Sequence, residues 1–157
     1  MRRAVRIVSG GQTGVDRAAL DFAIRRGIPH GGWCPQGRRS ERGRIPARYR
    51  LAETVSPSYS VRTALNVQDS DGTLVITRGA PGGGTRLTIE ICRRRDKPCL
   101  VVDLLRPVDP AGFVDWVDRH GIRTLNVAGP RASTIAGIGR QAARALERLF
   151  AALPPAA

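Results

Sequence analysis

The sequence has few cysteines and no long apolar run, and both shortages exclude classes of protein. Its 157 residues include three cysteines, Cys34, Cys92 and Cys99, without C-x-x-C spacing. Neither a disulfide framework nor a zinc site is therefore indicated. No stretch reaches the roughly 18 consecutive apolar residues that a transmembrane helix needs. Because the basic N-terminus leads into a short strand and not into a signal-peptide core, we expect a cytoplasmic protein without a membrane partner.

Aromatic residues and lysine are also scarce, whereas arginine is abundant. Aromatic residues make up 4% of the chain, and Lys97 is the only lysine among 26 cationic residues. The formal net charge of +13 attracts phosphates in general, although a coding bias towards arginine would give the same surplus. The arginines are scattered in short groups, and no aromatic residue is interleaved with them as a base-stacking platform requires. Nucleic acid is therefore not the expected partner.

A glycine turn stands between a short apolar strand, residues 4–8, and a helix with apolar spacing over 15–26. The turn reads Ser9-Gly10-Gly11-Gln12-Thr13-Gly14. Glycines let the backbone approach a ligand, and the free N–H groups and positive dipole end of the following helix favour a phosphate or another oxyanion. The turn lacks both the Gly-Lys-Ser/Thr ending of an ATPase loop and the G-x-G-x-x-G pattern, so ATP hydrolysis and nicotinamide chemistry lose support. A tight turn without a ligand is the alternative interpretation.

A second glycine turn and an arginine-containing turn follow two later strands. Gly82-Gly83-Gly84-Thr85 comes after the apolar strand 73–77, and the segment Asn126-Val127-Ala128-Gly129-Pro130-Arg131 ends the predicted strand 124–127. The carboxyl ends of parallel strands share one edge of a sheet, so we predict a single pocket there. The Arg131 guanidinium suits a bidentate contact with phosphate. The alternative is a Gly-Pro turn with an exposed arginine.

Strands and helices alternate along the rest of the chain. The apolar spacing predicts further helices over 85–95, 110–119 and 138–153, and a strand over 99–103. Such alternation predicts an α/β fold, a three-layer sandwich whose mostly parallel sheet of about four or five strands is covered on both faces. Since no repeat or linker is evident, residues 1–157 are predicted to form a single domain.

Residues 35–50 interrupt this alternation, being rich in glycine, proline and arginine. We expect a long ordered surface loop that covers the site, because such loops are often functional. Its Arg38 is placed to clamp an anion. A solvated basic loop that contacts nothing is an equal alternative.

No pattern of side chains indicates a catalytic residue or a metal ligand. Asp69-Ser70-Asp71-Gly72 is similar to the start of a calcium loop, but no glutamate follows at the required distance, so we expect a turn. His30 and His120 have no acid or cysteine paired with them in the sequence.

Ordered sequence blocks are spread over nearly the whole chain, at 9–21, 32–38, 45–46, 62–63, 66–67, 69–73, 83–85 and 126–131. In these blocks the chain resembles the molybdenum carrier (molybdenum cofactor carrier protein) family. The resemblance implies a Rossmann-like fold, a homo-oligomer, and binding of molybdenum cofactor (molybdopterin), a phosphate-bearing pterin dithiolene. It implies protection and delivery without turnover, with molybdoenzymes as recipients. One departure is Glu41-Arg42-Gly43, where the family usually carries two acids before the glycine.

A more distant resemblance links the chain to the lysine-decarboxylase-like proteins that cleave the base from cytokinin nucleoside monophosphates. These hydrolases share a P-G-G-x-G-T-x-x-E segment and an arginine on the preceding helix, and Arg62 falls at that arginine. Thr88 stands where the glutamate is expected, and a hydroxyl cannot act as that carboxylate. The comparison therefore predicts that this chain binds phosphate without hydrolase activity. A phosphoribohydrolase-like or nucleotide-sensing protein is the first alternative function, and a nucleic-acid binder is the second.

We therefore predict that a phosphate-bearing small molecule binds across the two glycine turns. The first turn is expected to hold one anionic end and the second turn the other, with Arg38, Arg62 and Arg131 as charged contacts. The complete set of predicted contacts is Ser9, Gly10, Gly11, Gln12, Thr13, Gly14, Arg38, Arg62, Gly83, Gly84, Thr85, Asn126, Gly129 and Arg131.

Overall fold

A computed structural model describes residues 5–155, which contain a central sheet of five parallel strands. The strands are β1 Arg6–Val8, β2 His30–Gly31, β3 Trp33–Cys34, β4 Arg39–Ser40, β5 Gly43–Arg44, β6 Ala52–Glu53, β7 Gly72–Thr77, β8 Cys99–Asp103 and β9 Thr124–Ala128. The helices are α1 Val15–Arg26, α2 Tyr59–Gln68, α3 Gly83–Arg94, α4 Pro110–Arg119 and α5 Ile138–Ala151. The predicted α/β fold with a mostly parallel sheet is confirmed.

Different helices cover the two faces of the central sheet, which makes three layers. Leu74 and Ile76 of β7 pack in the largest apolar core, with residues of α1, α4 and α5. Full burial of a side chain such as Phe22, which is 0% exposed, stabilises the fold by about 2–3 kcal/mol. On the opposite face a smaller cluster joins Val67 of α2 to Ile91 of α3.

The last strand of the chain lies in the middle of the sheet. The order is β2-β1-β9-β7-β8, so the unit β1-α1-β2 runs to one edge and β7-α3-β8 to the other. In the register, Val8 of β1 pairs with Asn126 of β9, and Asn126 pairs with Thr73 of β7. The carboxyl ends of β1, β9 and β7 therefore adjoin where the strand order reverses, which is the usual position of a ligand crevice in such sheets.

The helix bounds follow mostly from local sequence. Helix α1 has the predicted bounds and ends at Gly27, which has a left-handed φ of 64° that glycine adopts without strain. Helix α3 begins at Gly83 instead of the predicted residue 85. The apolar pattern does not reveal this earlier start, because Gly83 and Gly84 have no side chains. Helix α5 ends at Ala151, before the predicted end at 153. Within residues 5–155 no helix is long and apolar enough to span a membrane.

Residues 35–50 form an ordered segment with its own small core. An antiparallel hairpin, β4 with β5, pairs Arg39 with Arg44. Ile45 and Tyr49 are buried against Cys34 and against Leu20 of α1. The segment is thereby packed onto the outer side of α1, next to the first glycine turn.

Candidate functional site

A cavity of about 540 Å³ lies at the carboxyl ends of the central strands. This volume falls within the range of small-molecule sites. Four segments supply its walls: the start of α1, helix α2, the second glycine turn with α3, and the loop after β9. The lining residues are Gln12, Asp16, Tyr59, Ser60, Arg62, Thr63, Thr77, Ala80, Gly82, Gly83, Gly84, Thr85, Leu87, Thr88, Ala128, Gly129, Pro130, Arg131, Ser133, Thr134 and Ile135.

The second glycine turn leaves open space at the start of α3. A Cβ atom built on Gly82, Gly83 or Gly84 would have no other atom within 4 Å. The helix also has no side-chain hydrogen bond at its N-cap, so its first N–H groups have no intrahelical or capping partner. Free N–H groups, the positive dipole end and open space together suit a bound anion.

Helix α3 presents a hydroxyl, and no carboxylate, to this cavity. Thr88 Oγ1 donates to the carbonyl oxygen of Gly84 at 3.0 Å, so the hydroxyl satisfies the helix backbone. Glu90 forms ion pairs with Arg86 at 3.5 Å and Arg94 at 3.8 Å and does not line the cavity. Neither residue replaces the glutamate of the hydrolase motif.

A buried ion pair joins α1 to α2 in the cavity wall. Arg62 Nη1 lies 3.3 Å from Asp16 Oδ2, and their side chains are 13% and 4% exposed. The backbone N–H of Gln12 also donates to Asp16 Oδ2 at 3.2 Å. Burial raises the pKa of Asp16, while the nearby Arg62 charge acts in the opposite direction. A Cβ on Gly10 would lie 1.8 Å from Arg62 Nη1, so the missing side chain of Gly10 makes room for this pair.

Two buried side-chain donors in the cavity wall have no hydrogen-bond partner among the described residues. They are Gln12 Nε2 and Arg62 Nε. The amide of Gln12 is oriented because its Oε1 accepts from the N–H groups of Thr13 at 3.1 Å and Glu41 at 3.0 Å. An unpaired buried donor lowers the free energy of unfolding by about 1–3 kcal/mol. Two such donors in one wall are therefore unusual for a native protein.

Two guanidinium groups flank the ring of Tyr59 within the cavity wall. The Cζ atoms of Arg62 and Arg131 lie 5.9 Å and 5.5 Å from the ring centroid. Contacts of this kind attract a cation to the face of an aromatic ring. They hold two guanidinium groups at the cavity, of which Arg62 is paired with Asp16 and Arg131 lies 3.9 Å from Glu41.

Several polar and glycine residues of the first turn contact other parts of the protein and do not face the cavity. Ser9 Oγ donates to the carbonyl oxygen of Val127 at 2.7 Å. Gly14 has a φ of 80°, and a Cβ there would lie 2.3 Å from the carbonyl oxygen of Pro130. These residues therefore fasten the turn to β9 and the loop after it.

Gly11 serves the contact between the first turn and the segment 35–50. Its φ is 79°, and a Cβ there would lie 2.7 Å from Leu51 Cδ1 and 3.0 Å from Ile45 Cδ1. The glycine allows these two apolar side chains to approach the turn. It does not line the cavity.

A carboxylate from the β4–β5 hairpin reaches the first turn. Glu41 accepts hydrogen bonds from Thr13 Oγ1, from Ser133 Oγ and from the Ser133 N–H, the last at 3.2 Å. Arg131 Nη1 lies 3.9 Å from Glu41 Oε2. The hydrogen bonds from Ser133 and then from Thr13 lower the pKa of Glu41. The segment 35–50 is thereby fastened to the cavity rim.

Arg38 lies inside the segment 35–50 and not in the cavity. Its side chain is 9% exposed and donates to four backbone carbonyl oxygens. The acceptors are Ile45 at 3.1 Å, Pro46 at 2.9 Å, Tyr49 at 2.8 Å and Leu51 at 3.4 Å. The guanidinium therefore folds this segment around itself.

Asn126 and Gly129 occupy different places at the end of β9. Asn126 Nδ2 donates to Thr73 Oγ1 at 3.2 Å in the interior. Gly129 lines the cavity, and a Cβ there would lie 2.2 Å from the carbonyl oxygen of Ile76. The glycine is thus required by the close approach of β7.

Comparison with known proteins assigns the family. The model of the circularly permutated YpsA SLOG family matches residues 7–150. The chain belongs to this family. A crystal structure of the "Putative molybdenum carrier protein" from Syntrophus aciditrophicus SB has a TM-score of 0.90 and 45% sequence identity, and the match covers 95% of this chain and 96% of that chain. No curated protein matches the chain. The predicted resemblance to molybdenum carrier proteins is confirmed.

In this member of the circularly permutated YpsA SLOG family, the structure brings half of the sequence-predicted contacts together. Those that line the cavity are Gln12, Arg62, Gly83, Gly84, Thr85, Gly129 and Arg131. Those that do not are Ser9, Gly10, Gly11, Thr13, Gly14, Arg38 and Asn126. Of this second set, Gly10 and Gly14 pack against the lining residues Arg62 and Pro130, whereas Arg38 donates to backbone carbonyl oxygens of its own segment and Asn126 is bonded in the interior.

Sequence reasoning missed several lining residues, including Asp16, Tyr59, Ser60, Thr63 and Thr77. In the sequence Asp16 is an ordinary acid in the first turn of a predicted helix, and its burial beside Arg62 depends on the packing of α2. Within residues 5–155 no group of three or more histidine, cysteine, aspartate or glutamate side chains is arranged to hold a metal ion.

Proposed function

We propose that the chain binds a phosphate-bearing small molecule in this cavity, and that the ligand is molybdenum cofactor, carried without turnover. The observation that carries the proposal is the uncapped start of α3, which opens into a cavity that Gln12, Arg62 and Arg131 also line. The anionic end of a ligand would meet free backbone N–H groups there.

The phosphate is assigned to the second glycine turn. Gly83, Gly84 and Thr85 begin α3, and the positions above Gly83 and Gly84 are open. Backbone N–H groups at such a helix start bind a phosphate without needing a side-chain cation. Arg131 adds a guanidinium group to the lining of the same cavity.

The pterin is assigned to the wall formed by Gln12 and Arg62. A pterin has a ring carbonyl oxygen and ring nitrogens that accept hydrogen bonds, which suits a wall that carries an amide and a guanidinium group. The name of the Syntrophus aciditrophicus protein, a putative molybdenum carrier at 45% identity, supports a ligand that contains molybdenum. The bound cofactor would supply the molybdenum dithiolene, and the chain would supply binding and shielding.

Carriage without turnover is supported by the α3 side chains that line the cavity, because none of them is a carboxylate. The Thr88 hydroxyl donates to a helix carbonyl oxygen and cannot act as the acid or base of glycosidic cleavage. Asp16 is the carboxylate in the wall, and its Oδ2 already accepts from Arg62 and from Gln12.

A nucleoside monophosphate is the second candidate ligand, because one observation favours it. Asp16 lines the cavity, and burial raises its pKa, and a raised pKa is a feature of many carboxylates that act as general acids or bases. A phosphoribohydrolase-like enzyme would release free base from AMP. A nucleic-acid binder would instead show affinity that falls steeply with salt and does not depend on the second turn.

The test is an anaerobic titration of purified protein with molybdenum cofactor, with AMP as competitor, following bound molybdenum. Gly84→Asp places a carboxylate in the proposed phosphate position. Gly139→Asp is the matched control, because Gly139 is likewise the second residue of its helix, α5, after a glycine N-cap. We expect one molybdenum cofactor per chain, at least a tenfold loss of affinity, about 1.4 kcal/mol, in Gly84→Asp, and retention in Gly139→Asp.

Molybdenum that stays free while AMP binds or is cleaved would overturn the carrier function in favour of the nucleotide candidate. Equal binding by wild type and Gly84→Asp would place the ligand away from the second turn.

We further propose that residues 1–157 act as one ligand-binding domain, that the protein forms a homo-oligomer, and that molybdoenzymes receive the ligand. These proposals are supported by the family resemblance. Light scattering of the purified protein tests the oligomer, and reconstitution of an apo-molybdoenzyme tests the transfer.

A further inference from the structure

An anion-binding arrangement beside the first glycine turn is filled by the protein's own carboxylate. Three donors on two segments, Thr13 Oγ1, Ser133 Oγ and the Ser133 N–H, converge on Glu41. The guanidinium of Arg131 lies 3.9 Å from the same carboxylate. Hydroxyl, backbone N–H and guanidinium donors around one acceptor are what proteins use to bind phosphate or carboxylate groups.

Glu41 is held in this position by more than its carboxylate. Its backbone N–H donates to Gln12 Oε1 at 3.0 Å, and its side chain is 14% exposed. Thr13 Oγ1 also accepts from the Ala132 N–H at 3.1 Å, which aligns the hydroxyl proton towards Glu41. The hydrogen bonds from Ser133 and Thr13 lower the pKa of Glu41, so the carboxylate is negatively charged at neutral pH.

The filled arrangement shares a wall with the open cavity. Arg131 and Ser133 contact Glu41 on one side and line the cavity on the other. Gln12 likewise both lines the cavity and accepts from the Glu41 N–H. A ligand that extends from the second turn towards the first would therefore meet Glu41 through the residues that hold it.

We propose that Glu41 is a specificity-determining residue, which occupies the anion position at the first turn and so restricts the cavity to ligands with a single anionic group. The proposal rests on the proposed binding of a phosphate at the second turn. A ligand with a second phosphate or carboxylate at the Thr13 and Ser133 end is excluded, because Glu41 already satisfies those donors and repels a like charge. Glu41 thereby acts as a built-in substitute for the second anion.

Inorganic phosphate is the probe, and the amide resonances of the isotopically labelled full chain are the readout. The Gly84 N–H reports on the second turn, and the Ser133 N–H reports on the Glu41 position. In wild type we expect phosphate to shift the Gly84 resonance and to leave that of Ser133 in place. In Glu41→Ala, which removes the carboxylate and empties its position, we expect both to shift, with two phosphates bound per chain.

Glu53→Ala is the matched control, because Glu53 is a carboxylate that also accepts from a backbone N–H, that of Gly37 at 2.7 Å. It should leave the Ser133 resonance insensitive to phosphate, as in wild type. Adding Arg131→Gln to Glu41→Ala distinguishes phosphate bound at the first turn from an indirect response of Ser133. A phosphate-dependent Ser133 shift that is unchanged in this double variant overturns the proposal, and loss of the shift supports it.

Two further outcomes separate this inference from the proposed function. A Ser133 shift in wild type equal to that in Glu41→Ala overturns the specificity role, as does no shift in Glu41→Ala. If the Gly84 resonance does not respond in wild type, phosphate binding at the second turn fails, and a Ser133 response in Glu41→Ala would still establish the anion position at the first turn.

Discussion

The two glycine turns look alike in sequence but differ in what surrounds them. In the first turn the missing side chains accommodate protein atoms: a Cβ would lie 1.8 Å, 2.7 Å and 2.3 Å from the nearest atom at Gly10, Gly11 and Gly14. In the second turn a Cβ would have nothing within 4 Å at Gly82, Gly83 or Gly84. The first set of glycines allows the chain to pack closely on itself, whereas the second set leaves a surface uncovered. A glycine-rich turn after a strand is therefore not by itself a ligand loop.

Polar groups at the two turns follow the same division. Thr13 Oγ1 donates to Glu41, and Ser9 Oγ donates to the carbonyl oxygen of Val127. At the second turn α3 has no capping side chain. A buried turn must satisfy its polar groups internally, while a turn that faces a cavity can leave them for a ligand.

The largest difference between the turns is expected when an alanine is introduced at glycines with left-handed φ. Gly14→Ala should lower the free energy of unfolding by about 4 kcal/mol, because backbone strain adds to a clash with the Pro130 carbonyl oxygen. Gly83→Ala, with a φ of 51° and open space, should cost only about 1–2 kcal/mol. Urea denaturation measures both. Equal losses would mean that backbone conformation alone, and not the occupied space, separates the turns.

The segment next to the first turn should respond more weakly, through Arg38. Arg38→Ala removes the donor for four backbone carbonyl oxygens and should lower the free energy of unfolding by about 2–3 kcal/mol. Arg39→Ala, at the exposed neighbouring position, should change it by less than about 0.5 kcal/mol. Thermal denaturation of both variants tests this. An Arg38→Ala protein of normal stability that no longer binds ligand would instead make Arg38 the anion clamp predicted from the sequence.

The smallest effect is expected in the pH dependence of stability. As the pH rises, the two carboxylates beside the first turn, Asp16 and Glu41, should change the free energy of unfolding in opposite directions. The pKa of Asp16 is raised from 3.8 by burial, so its contribution to stability is full below 3.8 and is lost as the pH rises through its folded-state pKa. The pKa of Glu41 is lowered from 4.5 by the hydrogen bonds from Ser133 and Thr13, so its contribution is present above 4.5 and is lost as the pH falls through its folded-state pKa.

Chemical denaturation from about pH 3 to pH 8 measures the contribution of each carboxylate to the free energy of unfolding. With rising pH, the stability of wild type relative to Asp16→Asn should fall, and that of wild type relative to Glu41→Gln should rise. Parallel curves for both variants would show that neither carboxylate has the environment described.

Elements whose determinants are local could be predicted from the sequence. Helix α4 has the predicted bounds, Pro110–Arg119, with proline at its start, and the Asp109 side chain accepts from the Gly112 N–H at 3.0 Å. Strands β7 and β8 were likewise evident from short apolar runs. The second glycine turn was predicted as part of a pocket at the carboxyl edge of the sheet, and it lines the cavity.

Features that depend on distant partners could not be predicted. Helix α2 contains a buried Asn66, which is satisfied by the backbone N–H and carbonyl oxygen of Trp33, at 2.8 Å and 3.0 Å. Glu41 binds Ser133, which is 92 positions later in the chain. Periodicity detects neither, because both residues look like ordinary surface residues until the fold brings their partners to them.

The central position of β9 sets the order in which the cavity can be assembled. The units β1-α1-β2 and β7-α3-β8 each close over a short stretch of chain, but they are joined in the sheet only through β9, the last strand among the described residues. Pairings between residues far apart in sequence form slowly, and a nascent chain emerges from its N-terminal end. A partly synthesised chain can therefore contain both glycine turns and still have no cavity between them. The capacity to hold a ligand arises with the final strand, so occupancy of the cavity would report that folding is complete.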